Sequence, residues 1–299
     1  MSDSISKPGA FDYFAMGFTA LIWASAFVAI KVVVPETGPL WLAAWRVLIG
    51  FLVMIPYVVY RGLYFPRSSK IWGLIVVSGI FNAVIPFFLI SWASKSLDAG
   101  IVSLLMGTGP FLALIGSHFS TTDDRISAPK VVAVLLGFTG VLLIVGVDAL
   151  SGIGNATLVS QLAAIGGTVC YVIAGLLVRK IDVPPIRLAW LVLGTAAAFL
   201  FVLAFLFEGA PVVSLTPVAF WALIYLGIFP TGIGQILRFA LIRRVGYAAF
   251  SLSLNLIPVL GIGLGALLLG EVITLRTAAA LIFVLAGLFV SRMEFGKRS

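Results

Sequence analysis

The sequence predicts an all-α integral membrane protein with about ten transmembrane helices, arranged as two inverted five-helix repeats. Three observations carry that expectation. Of 299 residues, 62% are hydrophobic and only 10% charged, with mean hydropathy +1.20; a soluble domain normally carries about 25% charged residues. Apolar windows of about 20 residues, the length needed to cross about 30 Å of hydrocarbon, follow one another almost end to end. The stretch 78–112 also returns, diverged, as 226–260. With residue 79 matched to residue 227, a constant offset of 148 lays Gly79-Ile80-Phe81 on Gly227-Ile228-Phe229, Ser103-Leu104 on Ser251-Leu252 and Pro110 on Pro258.

The first window, 14–34, begins like a secretory signal, with the small residues Ala24-Ser25-Ala26 after Trp23. Only Lys7 precedes it and the apolar run continues to Val34, so an uncleaved first span is expected. The remaining windows are 40–60, 71–94, 97–117, 131–147, 158–178, 186–207, 218–241, 247–269 and 275–290. They fall into two groups of five, one in residues 1–150 and one in 151–299. With both termini in the cytoplasm, Arg61, Arg67, Lys70, Lys130, Arg187, Arg243 and Arg244 collect on that side, as basic loop residues do. Five is odd, so the second copy enters from the opposite face and is threaded upside down. Trp41, Trp72, Trp190 and Trp221 start spans, where indole favours the headgroup region.

Composition also excludes function classes. The single cysteine, Cys170, lies in an apolar run, which leaves neither a disulfide framework nor a thiol metal site. No basic run with interleaved aromatics points to nucleic acid, and the net charge of +8 suits a membrane protein with basic loops. Hydrolysis within the membrane needs a buried Ser/His pair, deep paired acids or metal ligands, and the one histidine, His118, sits at a span end. Neither enzyme, cofactor nor metal is therefore expected. The partners expected are a small-molecule substrate and the lipid bilayer, with the protein as a monomer.

Polar residues inside the spans are the candidates for a pathway. The third span carries Ser78 and Asn82 one turn apart with Pro86 beyond. Its repeat mate, the eighth, carries Thr231 and Gln235 at the same spacing with Pro230. The fourth and ninth pair Ser103, Gly107 and Pro110 with Ser251, Asn255 and Pro258. Trp23, beside Thr19 in the first span, and Tyr171, beside Thr168 in the sixth, add aromatic surface. Trp23, Ser78, Asn82, Tyr171, Gln235, Ser251 and Asn255 are the expected substrate contacts. Pro86, Pro110, Pro230 and Pro258 are the expected helix breaks or gates, since proline removes a rung of the helical ladder. The competing explanation for each Ser, Thr or Asn is close helix packing. Lys31, Arg46 and Arg238 read as anchors near span ends, with Arg46 snorkelling outward or paired with Glu36. The carboxylates lie at span ends, so the cavity is expected to be neutral and free of a proton relay.

Two copies of five spans, each with a basic connection (Lys95, then Arg243), a Ser-rich turn and a proline, and in the second copy Pro258-Val259 followed by Leu269-Gly270-Glu271, resemble the EamA domains of the drug/metabolite transporter superfamily. The resemblance covers nearly the whole chain. The Trp-bearing first span and the length are similar to the bacterial aromatic amino acid exporters of the YddG type. The first copy departs from the pattern, with Asp123-Asp124 where the second has Glu271. The resemblance implies a multi-pass exporter in the bacterial inner membrane, working by alternating access on aromatic and other bulky neutral amino acids. The alternative is a proton-coupled exporter of amphipathic drugs or other metabolites.

Overall fold

The computed structural model describes residues 8–62, 65–112, 115, 128–150, 156–178, 181–212 and 214–293, and among them every regular element is helical. In chain order these are α1 (Ala10–Thr37), α2 (Pro39–Tyr60), α3 (Ser69–Gly79), the π-helical segment π1 (Ile80–Val84), α4 (Ile85–Ala93) and α5 (Ala99–Met106). Then come α6 (Ala128–Leu150), α7 (Ala156–Val178), α8 (Pro185–Glu208), α9 (Pro217–Leu226), the π-helical segment π2 (Gly227–Ile233), α10 (Gly234–Leu254), α11 (Leu256–Leu269) and α12 (Leu275–Met293). Seven helices are long and apolar enough to cross a membrane, and the shorter apolar Ala99–Leu112, Leu256–Leu269 and Leu275–Ser291 complete the expected set. His118, Asp123 and Asp124 lie outside the described residues.

Prolines punctuate the helix starts. Pro39, Pro185 and Pro217 sit in first turns, where the missing N–H has no intrahelical partner to lose. Gly38 separates α1 from α2 at φ +80°, a backbone that side chains strain to adopt. Large apolar side chains such as Phe205, Leu206 and Phe207 face outward, as lipid-facing residues do, while Ala20 and Ala24 of α1 are buried, and Ala43, Ala44 and Val47 of α2 are buried in a core shared with α8.

Three pairs of helices from equivalent spans of the two halves lie against each other antiparallel. α2 and α8 meet at one end through Glu208, whose carboxylate accepts from Leu40 and Trp41, and at the other through Arg187, which donates to the Arg61 carbonyl. α5 and α11 interlock through small residues: a Cβ at Gly261 would stand 2.2 Å from Ser103 Oγ, and one at Gly107 only 2.4 Å from Pro258 Cγ. α6 and α12 do the same, with Gly140 against Ala280 and Val284, and Gly287 against Ala133 and Gly137. Backbones approach this closely in membranes only where side chains are small. Equivalent helices that run in opposite directions are what an inverted second copy requires.

Interruptions recur at the same offset. Ile80 in π1 falls on Ile228 in π2, and the turn at Gly107-Thr108 falls on the turn at Asn255. The prolines explain these places: Pro86 stands in the first turn of α4 directly after π1, and Pro230 lies inside π2. Pro110 opens the helical turn after Gly107-Thr108, and Pro258 follows the turn at Asn255. One expectation is corrected. The windows place a connection at residues 242–246, yet α10 runs unbroken from Gly234 to Leu254, because a single glycine at 246 costs a helix only about 1 kcal/mol and the break falls at Asn255.

Candidate functional site

The interrupted eighth span packs on α2 where the two halves face each other. α2 packs on π2 through Gly50, where a Cβ would stand 2.6 Å from Thr231 Cγ2. Gly227 lies against Ile49 and Gly232 against Val53 in the same interface. One turn before Gly50 on the same face of α2 stands Arg46.

Arg46 is 5% exposed and lies seven residues inside α2, roughly 10 Å along the helix at about 1.5 Å per residue. Its Nε donates to Thr231 Oγ1 at 3.4 Å, and its guanidinium carbon lies 4.0 Å from the centroid of the Phe87 ring. The Phe87 ring in turn meets Tyr171 edge-on at 6.5 Å. Four spans thus converge: α2 and α4 from the first half, α7 and π2 from the second. The terminal amino groups of the guanidinium make no hydrogen bond to a described residue. The expected pairing with Glu36 does not occur, because both oxygens of Glu36 are held by the backbone N–H and hydroxyl of Thr216, at 2.8 and 2.6 Å. Nor does the side chain snorkel outward. Its rotation about the α2 axis aims it at the partner half, and this overturns the expectation of a neutral interior.

The π2 segment is built to receive it. Pro230 cannot donate to the carbonyl of Leu226 one turn earlier, which the π-helical register accommodates, and that carbonyl also accepts from the Thr231 hydroxyl at 2.8 Å. The same hydroxyl oxygen accepts from Arg46. On the other side, Trp23 Nε1 donates to the carbonyl of Pro230 at 3.0 Å, and a Cβ at Gly234 would stand 2.6 Å from that nitrogen. Trp23 also meets Phe250 edge-on at 6.1 Å.

Of the expected contacts, Trp23 and Tyr171 therefore border this place, though the indole N–H is already committed to Pro230. Ser78 is buried with its hydroxyl unsatisfied, and Asn82, half-buried in π1, makes no side-chain hydrogen bond to a described residue. Gln235 follows π2 and is likewise half-buried. Asn255 precedes and Pro258 belongs to α11, which packs on α1 and α5, and neither contacts Arg46, Phe87 or Tyr171 by hydrogen bond or ring. The side chain of Ser251 lies outside the described ones. Thr19 and Thr168 bond to the carbonyls of Ala15 and Ala164 a turn back, which is ordinary helix chemistry. Arg46 is the residue the sequence reading missed, and Gly50 one turn on was the signal, since a small residue marks the face turned toward a neighbouring helix.

The carboxylates take another role. At the end of the bundle that carries the α1–α2 connection, Glu208 accepts from Leu40 and Trp41, and Glu271 accepts from Ala99 at 2.6 Å and Gly100 at 2.9 Å. Glu208 and Glu271 thus cap first turns, and Glu36 holds Thr216 just ahead of α9, each at the start of a helix in the other half of the chain. At the opposite end Arg244 Nε lies 2.9 Å from Asp12 Oδ1. No group of three metal-ligating side chains occurs among the described residues.

Comparisons with known proteins agree with this architecture. The profile of the EamA-like transporter family matches twice, over residues 11–146 and 158–293. The uncharacterized transporter YoaV of Bacillus subtilis is 27% identical over 288 residues, covering 93% of this chain and 95% of its own. A protein of Salmonella typhimurium named "probable amino-acid metabolite efflux pump" is 27% identical over 306 residues, covering 94% and 96%. A crystal structure at 24% identity superposes with a TM-score of 0.68 over 93% of this chain and 95% of its own, which shows a shared fold. A multi-pass helical membrane protein matched twice by one profile, the chain belongs to the EamA-like transporter family.

Proposed function

We propose that the protein exports small zwitterionic metabolites, chiefly aromatic and other bulky neutral amino acids, from the bacterial cytoplasm across the inner membrane. It works as a monomer by alternating access, with both termini cytoplasmic and the capped end of the bundle facing outward. It acts as a facilitator rather than an enzyme or a proton-driven pump. The observation that carries this reading is the convergence of two interrupted repeat-mate spans on one place between the halves, where inverted-repeat carriers hold substrate. The rings of Phe87 and Tyr171, with Trp23 against Pro230, offer stacking surface, and Asn82, whose amide has no partner among the described residues, and the half-buried Gln235 offer hydrogen-bonding groups on the same two spans, a combination suited to an aromatic amino acid. The name of the Salmonella relative points to the same substrate class.

Counterflow of labelled phenylalanine or tryptophan in proteoliposomes is the test. Exchange that saturates and is competed by unlabelled substrate is expected. Failure to exchange either amino acid, alongside transport of a cationic drug, would overturn the reading in favour of a drug exporter.

A further inference from the structure

A guanidinium inside a membrane-spanning helix is retained only against a large desolvation cost, and such charges usually face a partner or a pathway. Among the described residues Arg46 has no carboxylate partner: its contacts are the Thr231 hydroxyl and the Phe87 ring. Glu36, the acid nearest in sequence, and Glu208, on the helix α8 that packs against α2, are engaged by Thr216 and by Leu40 and Trp41 at the bundle end. Its position is also fixed, with Nε held by Thr231, the ring of Phe87 beneath and Gly50 one turn on drawing α2 against π2. What remains unmatched is the outer edge of the fork, two parallel N–H groups in the geometry that grips a carboxylate at both oxygens.

Resting on the transport reading above, we propose that Arg46 is the anchor for the carboxylate of the transported molecule. The substrate's carboxylate docks on the free edge of the guanidinium and its apolar body lies along Phe87 and Tyr171. Two parallel N–H groups on a buried guanidinium match the two oxygens of a carboxylate, so organic carboxylates with an apolar body are the class selected. The ammonium of an amino acid finds its acceptor among the half-buried amides, Asn82 foremost. Because α2 and π2 belong to opposite halves, the docked carboxylate also ties its occupancy to the interface that must shear during transport.

The experiment uses three probes that share a ring and differ in charge: phenylalanine, phenylacetate and phenethylamine. Each is titrated against purified full-length protein in detergent, read as a rise in unfolding temperature, since a ligand that binds the folded form stabilises it by mass action. Phenylalanine and phenylacetate should stabilise the protein and phenethylamine should not. Arg46→Met should weaken carboxylate binding at least about tenfold, the scale of a charge-assisted hydrogen bond, with Arg46→Lys in between because it keeps the charge and loses the fork. If Arg46→Met does not fold, the wild-type ranking of phenylacetate against phenethylamine still decides. The proposal is overturned if phenethylamine stabilises as well as phenylacetate, if neither carboxylate stabilises, or if Arg46→Met leaves their affinity unchanged. Phenylacetate binding that depends on Arg46, without phenylalanine or tryptophan exchange, leaves the carboxylate site standing and removes the amino-acid reading. Undiminished phenylalanine exchange by Arg46→Met does the reverse.

Discussion

Glu208 Oε2 accepts the backbone N–H of Trp41 at 3.0 Å while its Oε1 accepts that of Leu40 at the same distance, so the last residue of α8 caps the first turn of its own repeat mate, α2. A carboxylate there satisfies two N–H groups that the helix itself cannot and complements the positive end of its dipole. Gly38 makes the room, since a Cβ there would stand 2.7 Å from Glu208 Oε2. Glu208→Gln, with one acceptor oxygen for two donors, is expected to cost about 1–2 kcal/mol of stability. Gly38→Ala, which adds a strained φ to the collision, should cost at least about 1 kcal/mol. Both are read as a lower unfolding temperature in detergent, and unchanged midpoints in both would refute the role of the cap.

The three carboxylate caps join one half of the chain to the other at the same end, so opening that end requires breaking them. The double substitution Glu208→Gln with Glu271→Gln should shift the population toward the form open there. Spin labels at the exposed positions Asp98 and Val212, on opposite halves of that end, should show a longer and broader distance distribution in the double variant. An unchanged distribution would mean that the caps stabilise helices without gating.

Asn82 is half-buried in π1, and its side chain makes no hydrogen bond to a described residue. A group that bonds to substrate and not to protein can be removed without loss of stability. Asn82→Leu should therefore lower phenylalanine exchange several-fold while leaving the unfolding temperature the same or higher. A destabilised protein with normal exchange per folded molecule would assign Asn82 to packing.

Gly227 admits α2 against π2, and a Cβ there would stand 2.4 Å from Ile49 Cβ. Gly227→Ala should cost about 1–3 kcal/mol through overpacking. It should also displace Thr231 from Arg46, so affinity for phenylacetate falls along with stability. Trimming the opposing side chain in Ile49→Ala should restore part of both, and failure of that rescue would show that the interface is looser than described.

Transport should be indifferent to proton gradients. Among the described side chains, Glu36, Asp98, Asp182, Glu208 and Glu271 stand at helix ends or in connections, and the buried Asp12 pairs with Arg244 in the first turns of α1. A coupling proton needs a group whose surroundings change between the two facing states. Phenylalanine flux down its own gradient is expected to be unaltered by a pH difference of either sign. Uphill accumulation driven by that difference and abolished by an uncoupler would contradict this.

Much of the fold was legible because bilayer thickness converts composition into spans and because the repeat offset survives in Gly79 and Gly227. The helix interruptions were legible too, since Pro86, Pro230 and Pro258 have one local effect wherever they stand. Arg46 was not. Its depth along α2 reads directly from sequence, but whether it points to water or to the other half depends on rotation about the helix axis. That rotation is set by contacts of Gly50 and Gly227 with residues far away in the chain. The unbroken α10 was missed for a similar reason, because Gly246 permits a turn without requiring one.

The antiparallel match of α2 with α8, α5 with α11 and α6 with α12 bears on how weak the contacts between halves can be. Two separate five-helix chains, inserted in opposite senses, would present the same faces to each other but would have to find one another by diffusion in the bilayer. Joined in one polypeptide, each half sees the other at a fixed and high effective concentration. Contacts such as the Glu208 cap can then be let go and remade many times without the halves drifting apart, and the tether, not the interface, keeps the carrier whole.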